Sequence, residues 1–235
     1  MQLFFNSNLN EQSSVISFSN EESKHIISVL RKKEKDILHI TNGDNFLFKA
    51  KIISASPKIC SAKIITCEKI NSNKNYYLHI AIAPTKSAER FEWFIEKATE
   101  IGIDEITPII CKNSERKTIR PERLIKIMQV AIKQSLQFKL PKLNKTLSFF
   151  EFINQHFQGQ QLFIAHCKNP TKTLKNEIQL NASYTLLIGP EGDFSEEEIT
   201  KSANNNFKPI TLSNNRLRTE TAGITAVQYL SFLHQ

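Results

Sequence analysis

The sequence predicts an α/β protein in two parts, a small β-barrel with one helix followed by a larger domain built on a mainly parallel sheet. Three observations carry this. The first seventy residues hold short apolar or alternating runs separated by turn residues, the pattern of short strands. From Tyr77 onward such runs alternate with amphipathic helical stretches, as in a parallel sheet with crossover helices. Between them lies Asn71-Ser72-Asn73-Lys74-Asn75, polar and aperiodic, which reads as a linker. The expected domains are therefore 1–71 and 76–235.

In the first part, strands are expected at Ser14–Phe18, Asp36–Ile40, Asn45–Ile53 and Ile59–Glu68, with turns at Thr41-Asn42-Gly43-Asp44 and Ser54–Pro57. One helix interrupts them. Ser19 or Asn20 caps it, Glu21 and Glu22 suit its positive end, and Ile26, Ile27 and Leu30 form its apolar stripe. In the second part, Tyr77–Ala83 is a strand and Glu89–Ile101 a helix stopped by Gly102. Glu105–Cys111 is the next strand. Pro121 opens a helix to about Gln137, with Leu124, Met128, Ala131 and Ser135 inward and Lys126, Gln129 and Lys133 outward. Strands at Gln161–His166 and Thr185–Ile188 precede a helix whose capping box is Ser195 and Glu198. Pro209–Leu212 is a last strand, and Thr219–His234 a last helix that Thr219 can cap.

Composition narrows the function classes. No apolar run is long enough to cross a bilayer, and the N-terminus lacks a basic segment followed by an apolar one, so a cytoplasmic protein is expected. The four cysteines are far apart and the six histidines scattered, so no metal is expected. The formal charge is +8, and ten basic against two acidic residues fall between Lys112 and Lys145. Such a concentration attracts polyanions, above all nucleic-acid phosphates.

Two segments stand out. Leu187-Ile188-Gly189-Pro190-Glu191-Gly192-Asp193-Phe194 takes a buried strand into a tight turn before a capped helix, which lets a ligand approach the main chain closely. Leu212–Ala222 takes a short strand through Arg218 into the last helix, with Glu220 in its first turn. No glycine-rich dinucleotide fingerprint or P-loop is present, so a nucleoside cofactor needs another loop design.

Together Ile188-Gly189-Pro190-Glu191-Gly192 and Leu217-Arg218-Thr219-Glu220-Thr221-Ala222 resemble the C-terminal signature of the RsmE family. The likeness extends to His25-x-x-x-Val29-Leu30-Arg31, to Lys86, to Glu96–Ile103 with Ile106-Thr107-Pro108, to Ser114-Glu115-Arg116 and to Glu122-Arg123-Leu124. Two departures stand beside it. Asp193 occupies the place of a usual second glycine, and Lys133-Gln134-Ser135-Leu136-Gln137 lacks the Gly-Arg pair of the family's Glu-Gln-Ser-Gly-Arg pattern.

The resemblance implies methylation of the N3 atom of a uridine in 16S ribosomal RNA with S-adenosylmethionine. It implies a PUA-like barrel in front of a SPOUT methyltransferase domain with a C-terminal trefoil knot, and a homodimer acting on the small ribosomal subunit. On that reading the cofactor lies among three loops, at Ala165 and His166, at Ile188, Gly189, Pro190 and Gly192, and at Leu212 and Leu217. Arg218 is the catalytic candidate, with Glu191 or Glu220 orienting it or assisting proton removal. Lys24, Arg31, Lys86, Arg116, Arg120, Arg123, Lys126 and Lys133 are candidates for RNA contacts. Two alternatives stay open from the residues alone: a knotted methyltransferase acting on a transfer-RNA ribose hydroxyl, and a catalytically silent RNA-binding assembly factor.

Overall fold

The structure is a computed structural model that describes residues 1–71, 74–168 and 172–234; Ser72 and Asn73 of the expected linker lie outside these. The chain divides into two compact units, and the division is not a single cut. The first comprises residues 1–73 together with 132–140, the second residues 74–131 and 141–235.

In the first unit, β1 (Leu3–Phe5), β2 (Val15–Ser17), β3 (Ile37–Thr41), β4 (Phe46–Ala55) and β5 (Cys60–Lys69) form one sheet in the order β1-β3-β4-β5-β2. Only β1 and β3 pair in parallel. Register shifts between Lys49 and Ala50 and between Ile52 and Ser54 curl the long β4–β5 ribbon. The curl encloses a core of Phe4, Phe18, Ile26, Leu38, Ile40, Phe48 and Ile52. Helix α1 (Asn20–Lys24) is capped by Ser19, whose hydroxyl accepts from Glu22 N–H, and continues as a wider turn over His25–Val29 that places Ile26 in the core. Residues 132–140 complete the unit through main-chain bonds. Asn45 N–H donates to Phe138 O at 2.9 Å and Leu140 N–H to Gly43 O at 2.8 Å. Gly43, at φ 81°, is needed here, because a Cβ on it would lie 2.9 Å from the Phe5 ring and 3.0 Å from Leu140.

The second unit holds a sheet whose described strand pairs are all parallel, in the order β12-β10-β11-β6-β7-β8, with β9 paired to the end of β7. Its elements in chain order are β6 (Tyr77–Ile82), α2 (Ala88–Ile101), β7 (Glu105–Ile110), α3 (Pro121–Ser135, whose last four residues fall in the first unit), β8 (Lys142–Leu143), β9 (Leu147–Ser148), α4 (Phe149–Ile153) and β10 (Gln160–Ala165). They continue through α5 (Leu174–Glu177), β11 (Ser183–Ile188), α6 (Glu196–Asn204), β12 (Lys208–Ile210) and α7 (Thr219–Leu233). The central strands β6 and β11 are buried at five of six positions each, which accounts for their unbroken apolar runs. On one side Phe149, Phe152, Ile153, Phe194 and Phe207 pack against Ala81, Ile109, Ile164 and Leu187. Helix α7 approaches α2 and β6 closely because residue 223 is glycine: a Cβ there would meet the Phe94 ring at 2.6 Å and Ile82 at 3.0 Å.

Three details differ from the sequence expectation. Thr219 is the first residue inside α7 and not its cap; its hydroxyl donates to Gly189 O at 3.0 Å, so it ties the helix to a strand end. Helix α3 buries Ile132, while Ser135 is only half-buried. The short β1, β8, β9, α4 and α5 are additional elements.

Candidate active site

Parallel strands send all their carboxyl ends to one edge of a sheet, and ligands of open α/β sheets bind outside that edge. Here β12, β10 and β11 are neighbours, so the loops that follow them emerge side by side. Residues 165–167 leave β10, 188–193 leave β11 and 211–218 lead from β12 to α7. Together with the first turns of α7 they line a cavity of about 290 Å³. Ile188, Leu212, Leu217 and Ala222 give it apolar walls, and His166, Glu191, Ser213, Arg216 and Arg218 bring polar groups.

Each loop is held by specific bonds. A Cβ on Gly189 would come within 3.1 Å of the Phe194 ring, so glycine lets the strand end pass close over a buried aromatic. The Glu191 carboxylate accepts from Lys86 N–H at 2.9 Å, which fastens the turn to the loop after β6. Arg216 donates to Glu191 O at 3.3 Å. The Asn113 side-chain amide donates to Gly192 O at 3.1 Å and Asp193 O at 2.9 Å. Beneath them the buried Glu198 accepts from Ser195 N–H to close the α6 capping box, and from Lys112 N–H at 2.8 Å. The cavity rim is thus braced from behind by the start of the basic stretch.

Of the expected cofactor residues, Ala165, His166, Ile188, Gly189, Pro190, Leu212 and Leu217 line this cavity. Gly192 does not; it lies against Asn113 instead. Of the catalytic candidates, Glu191 and Arg218 line it. Arg218 is exposed at the N-cap position of α7, and no described residue hydrogen-bonds its guanidinium. Glu220 is placed differently. It is buried in the first turn of α7, with one oxygen 3.7 Å from Arg90 Nε and the other without a described partner. His166 is also buried; its Nδ1 accepts from Lys168 N–H at 3.2 Å, which leaves the proton of a neutral ring on Nε2, an atom without a described partner. Burial lowers the His166 pKa, so the neutral ring prevails at neutral pH.

Asp193, noted from sequence only as a departure from the usual glycine, also lines the cavity, as do Cys167, Thr211, Ser213, Asn215 and Arg216, which were not singled out. Their one signal was position: Asp193, Thr211, Ser213, Asn215 and Arg216 lie in or beside the two conspicuous segments, and Cys167 follows the expected cofactor residues Ala165 and His166.

Among the RNA candidates, Arg116 donates to Thr85 O and Lys86 O, Arg123 makes a two-point pair with Glu92 at 2.5 and 2.8 Å, and Lys86 pairs with Glu115 at 2.8 Å. Lys133 stands 3.7 Å from Glu22 within the first unit. Arg120 and Lys126 are exposed in the second unit, Lys24 and Arg31 in the first. Among the described residues no group of three or more His, Cys, Asp or Glu is placed to hold a metal ion.

Comparison with known proteins places this arrangement. The model of the RNA methyltransferase domain family matches residues 72–231, and that of the RNA methyltransferase PUA domain matches residues 18–65. Ribosomal RNA small subunit methyltransferase E of Buchnera aphidicola subsp. Acyrthosiphon pisum is 34% identical, over 91% of this chain and 86% of that protein. The chain belongs to the RsmE family of RNA methyltransferases. The RsmE protein of Rickettsia conorii is 29% identical, over 99% of this chain and 95% of its own length. Among solved structures, a Porphyromonas gingivalis protein described as a probable rRNA-methyltransferase superposes with a TM-score of 0.93 at 34% identity, covering 100% of this chain and 98% of that one. A Legionella pneumophila protein whose structure holds the bound cofactor SAM superposes with a TM-score of 0.87 at 28% identity, covering 98% and 97%. The RsmE architecture, a PUA-like unit before a parallel-sheet methyltransferase domain, is therefore the fold of this chain.

Proposed function

We propose that this RsmE-family chain methylates the N3 atom of a specific uridine in 16S ribosomal RNA, with S-adenosylmethionine held in the cavity at the ends of β10, β11 and β12. The observation that carries the reading is the convergence of both signature segments on that one cavity, Gly189–Glu191 on one wall and Leu217–Arg218 on the other. The residues fit the cofactor. Ile188, Leu212, Leu217 and Ala222 suit a flat nucleoside, loop main chain is at hand for its polar edge, and His166 Nε2 is a buried donor without a described partner. The Legionella relative solved with SAM shares the fold over nearly its whole length.

When bound, S-adenosylmethionine supplies an electrophilic methyl group. The chain must then align a uracil nitrogen with it and stabilise the negative charge that spreads to the uracil carbonyl oxygens as the N3 proton leaves. Arg218 suits that task, being permanently charged, exposed at the cavity rim and at the positive end of α7. Glu191 is the nearer of the two carboxylates to the work, since it lines the cavity while Glu220 is turned toward Arg90. Its bond to Lys86 N–H leaves the second carboxylate oxygen to orient Arg218 or receive the proton. The target base must leave its stack to reach the cavity.

The rest of the family reading belongs to the same proposal. Residues 1–71 act as an RNA-gripping PUA-like domain and 76–235 as the methyltransferase domain, the C-terminal segment is threaded as a trefoil knot, and two copies form the working enzyme on the small subunit in the cytoplasm. No described helix is long and apolar enough to cross a membrane, in keeping with that location. The test is nucleoside analysis of small-subunit RNA from cells lacking the gene, with and without the protein restored. Loss and return of 3-methyluridine is the expected result. A change confined to ribose-methylated nucleosides, or no change, overturns the proposal.

A further inference from the structure

We propose that Asp193 is a positioning residue that fastens two of the three cofactor loops together and so holds the cavity in its binding shape before any ligand enters. The inference rests on the functional reading of that cavity and goes beyond it. Asp193 has φ 59°, in the left-handed region that glycine occupies freely and other residues at a cost. Aspartate is among the few residues that tolerate this region, and here its carboxylate makes bonds that glycine could not. Oδ2 accepts from Cys167 N–H at 2.9 Å, joining the loop after β11 to the loop after β10 across 26 residues of sequence. Oδ1 accepts from Phe194 N–H at 2.7 Å, which fixes the carboxylate plane.

The main chain of Asp193 is gripped as well. Its N–H closes the turn on Pro190 O at 2.9 Å, and its carbonyl accepts from the Asn113 amide at 2.9 Å. The residue is therefore immobilised at the backbone, and its carboxylate passes that rigidity to Cys167. The beneficiary is His166, whose buried ring lines the cavity one residue earlier. Without the brace, the loop after β10 loses its bond to the loop after β11 at the point where both meet the ligand. Glycine at 193 would relieve the backbone while abolishing the brace, so ligand affinity should fall by more than global stability does.

Asp193→Gly and Asp193→Asn are compared with the parent protein by calorimetry with S-adenosylmethionine, by exchange of the Cys167 amide hydrogen and by thermal unfolding. Asp193→Gly is expected to weaken cofactor binding roughly tenfold or more and to speed exchange at Cys167 by about the same factor, with a smaller change in unfolding temperature because backbone relief offsets part of the lost bonds. Asp193→Asn has one acceptor oxygen in place of two, so it can keep the Cys167 bond only by turning its amide nitrogen toward Phe194 N–H; its affinity and exchange should fall between those of the parent and Asp193→Gly. Parent-like exchange at Cys167 in Asp193→Gly overturns the brace. So does cofactor affinity within about threefold of the parent in that variant. If the parent itself binds no S-adenosylmethionine, the functional reading fails, and the exchange comparison still decides whether the brace exists.

Discussion

Leu136 closes α3 in a conformation suited to glycine. Its φ is 57°, and the following Gln137 N–H reaches back to Ile132 O at 2.9 Å, the six-to-one bond of a Schellman ending. This is the position where the family pattern has glycine, so the turn persists without the residue that makes it easy. Leu136 is 40% exposed, so its side chain is not a core anchor that would offset the strain in full. Leu136→Gly is expected to raise stability by up to about 1 kcal/mol, read from urea unfolding; a loss of stability would show that the leucine side chain earns its place by contact. Arg218 makes the second residue-scale case. If Arg218 stabilises the acceptor base as proposed, Arg218→Ala should lower turnover by on the order of a hundredfold or more while leaving cofactor affinity near normal. Near-normal turnover in single-turnover assays removes Arg218 from the chemistry. Gly189, Glu191 and Arg218 could be picked from sequence because an unusual glycine-proline turn and an arginine before a helix are visible there. Asn113 and Arg216 could not, and Asp193 was visible only as a departure from the usual glycine, since the roles of all three arise from bonds to loops distant in sequence.

At the scale of elements, the amino ends of β6 and β7 carry a polar cluster at the sheet edge opposite the cavity. Tyr77 donates to Glu105 at 2.6 Å, Asn144 to Glu105 at 2.6 Å and Lys142 to Glu105 at 2.9 Å, while His79 Nε2 lies 2.7 Å from the Thr107 hydroxyl. Burial alone would raise the Glu105 pKa; the nearby His79 and the bonds from Tyr77, Asn144 and Lys142 outweigh it and bring the value down to about 2. Burial pushes His79 down to about 4. Both folded values lie below the unfolded ones, so the unfolded chain binds more protons and acid favours it. Stability should fall as pH drops from about 6.5 to 4 through His79, then from about 4.5 to 2 through Glu105. His79→Gln should flatten the upper step, a span on the order of 3 kcal/mol, in urea midpoints measured across pH. An unchanged slope would assign the step to another group. Elements with a strong period or a complete cap were legible in sequence, as β6, β7, α2 and the Ser195–Glu198 box show. The two-residue strands β8 and β9 and the single turns α4 and α5 were not, because such short pieces are specified by the neighbour they pair with.

For the whole molecule, the net charge of +8 with ten basic residues in one stretch is the feature that speaks to RNA. The structure divides those residues by use. Arg116 and Arg123 are engaged with carbonyls and a glutamate of the protein, whereas Arg120 and Lys126 are exposed. Arg120→Gln with Lys126→Gln should therefore reduce the slope of log affinity against log salt by about 1 to 2 for small-subunit RNA. Arg116→Gln should act mainly on the loop it braces, with a smaller change in slope. Equal slopes for the double variant and the parent, measured by filter binding, would clear that face of a phosphate role. The fold class was legible at this scale because alternating strands and helices leave few architectures open. The division of the units was not, since nothing in the pattern of residues 132–140 marks them as part of the first unit.

That discontinuity has a bearing on how the protein comes into being. A chain leaving the ribosome from its N-terminus presents all five strands of the curled sheet well before Phe138 and Leu140 exist to bond Asn45 and Gly43. The N-terminal unit can therefore make these last main-chain bonds only after more than half the polypeptide has been made, and a gene fragment ending near residue 71 encodes its strands and core without the segment that makes them.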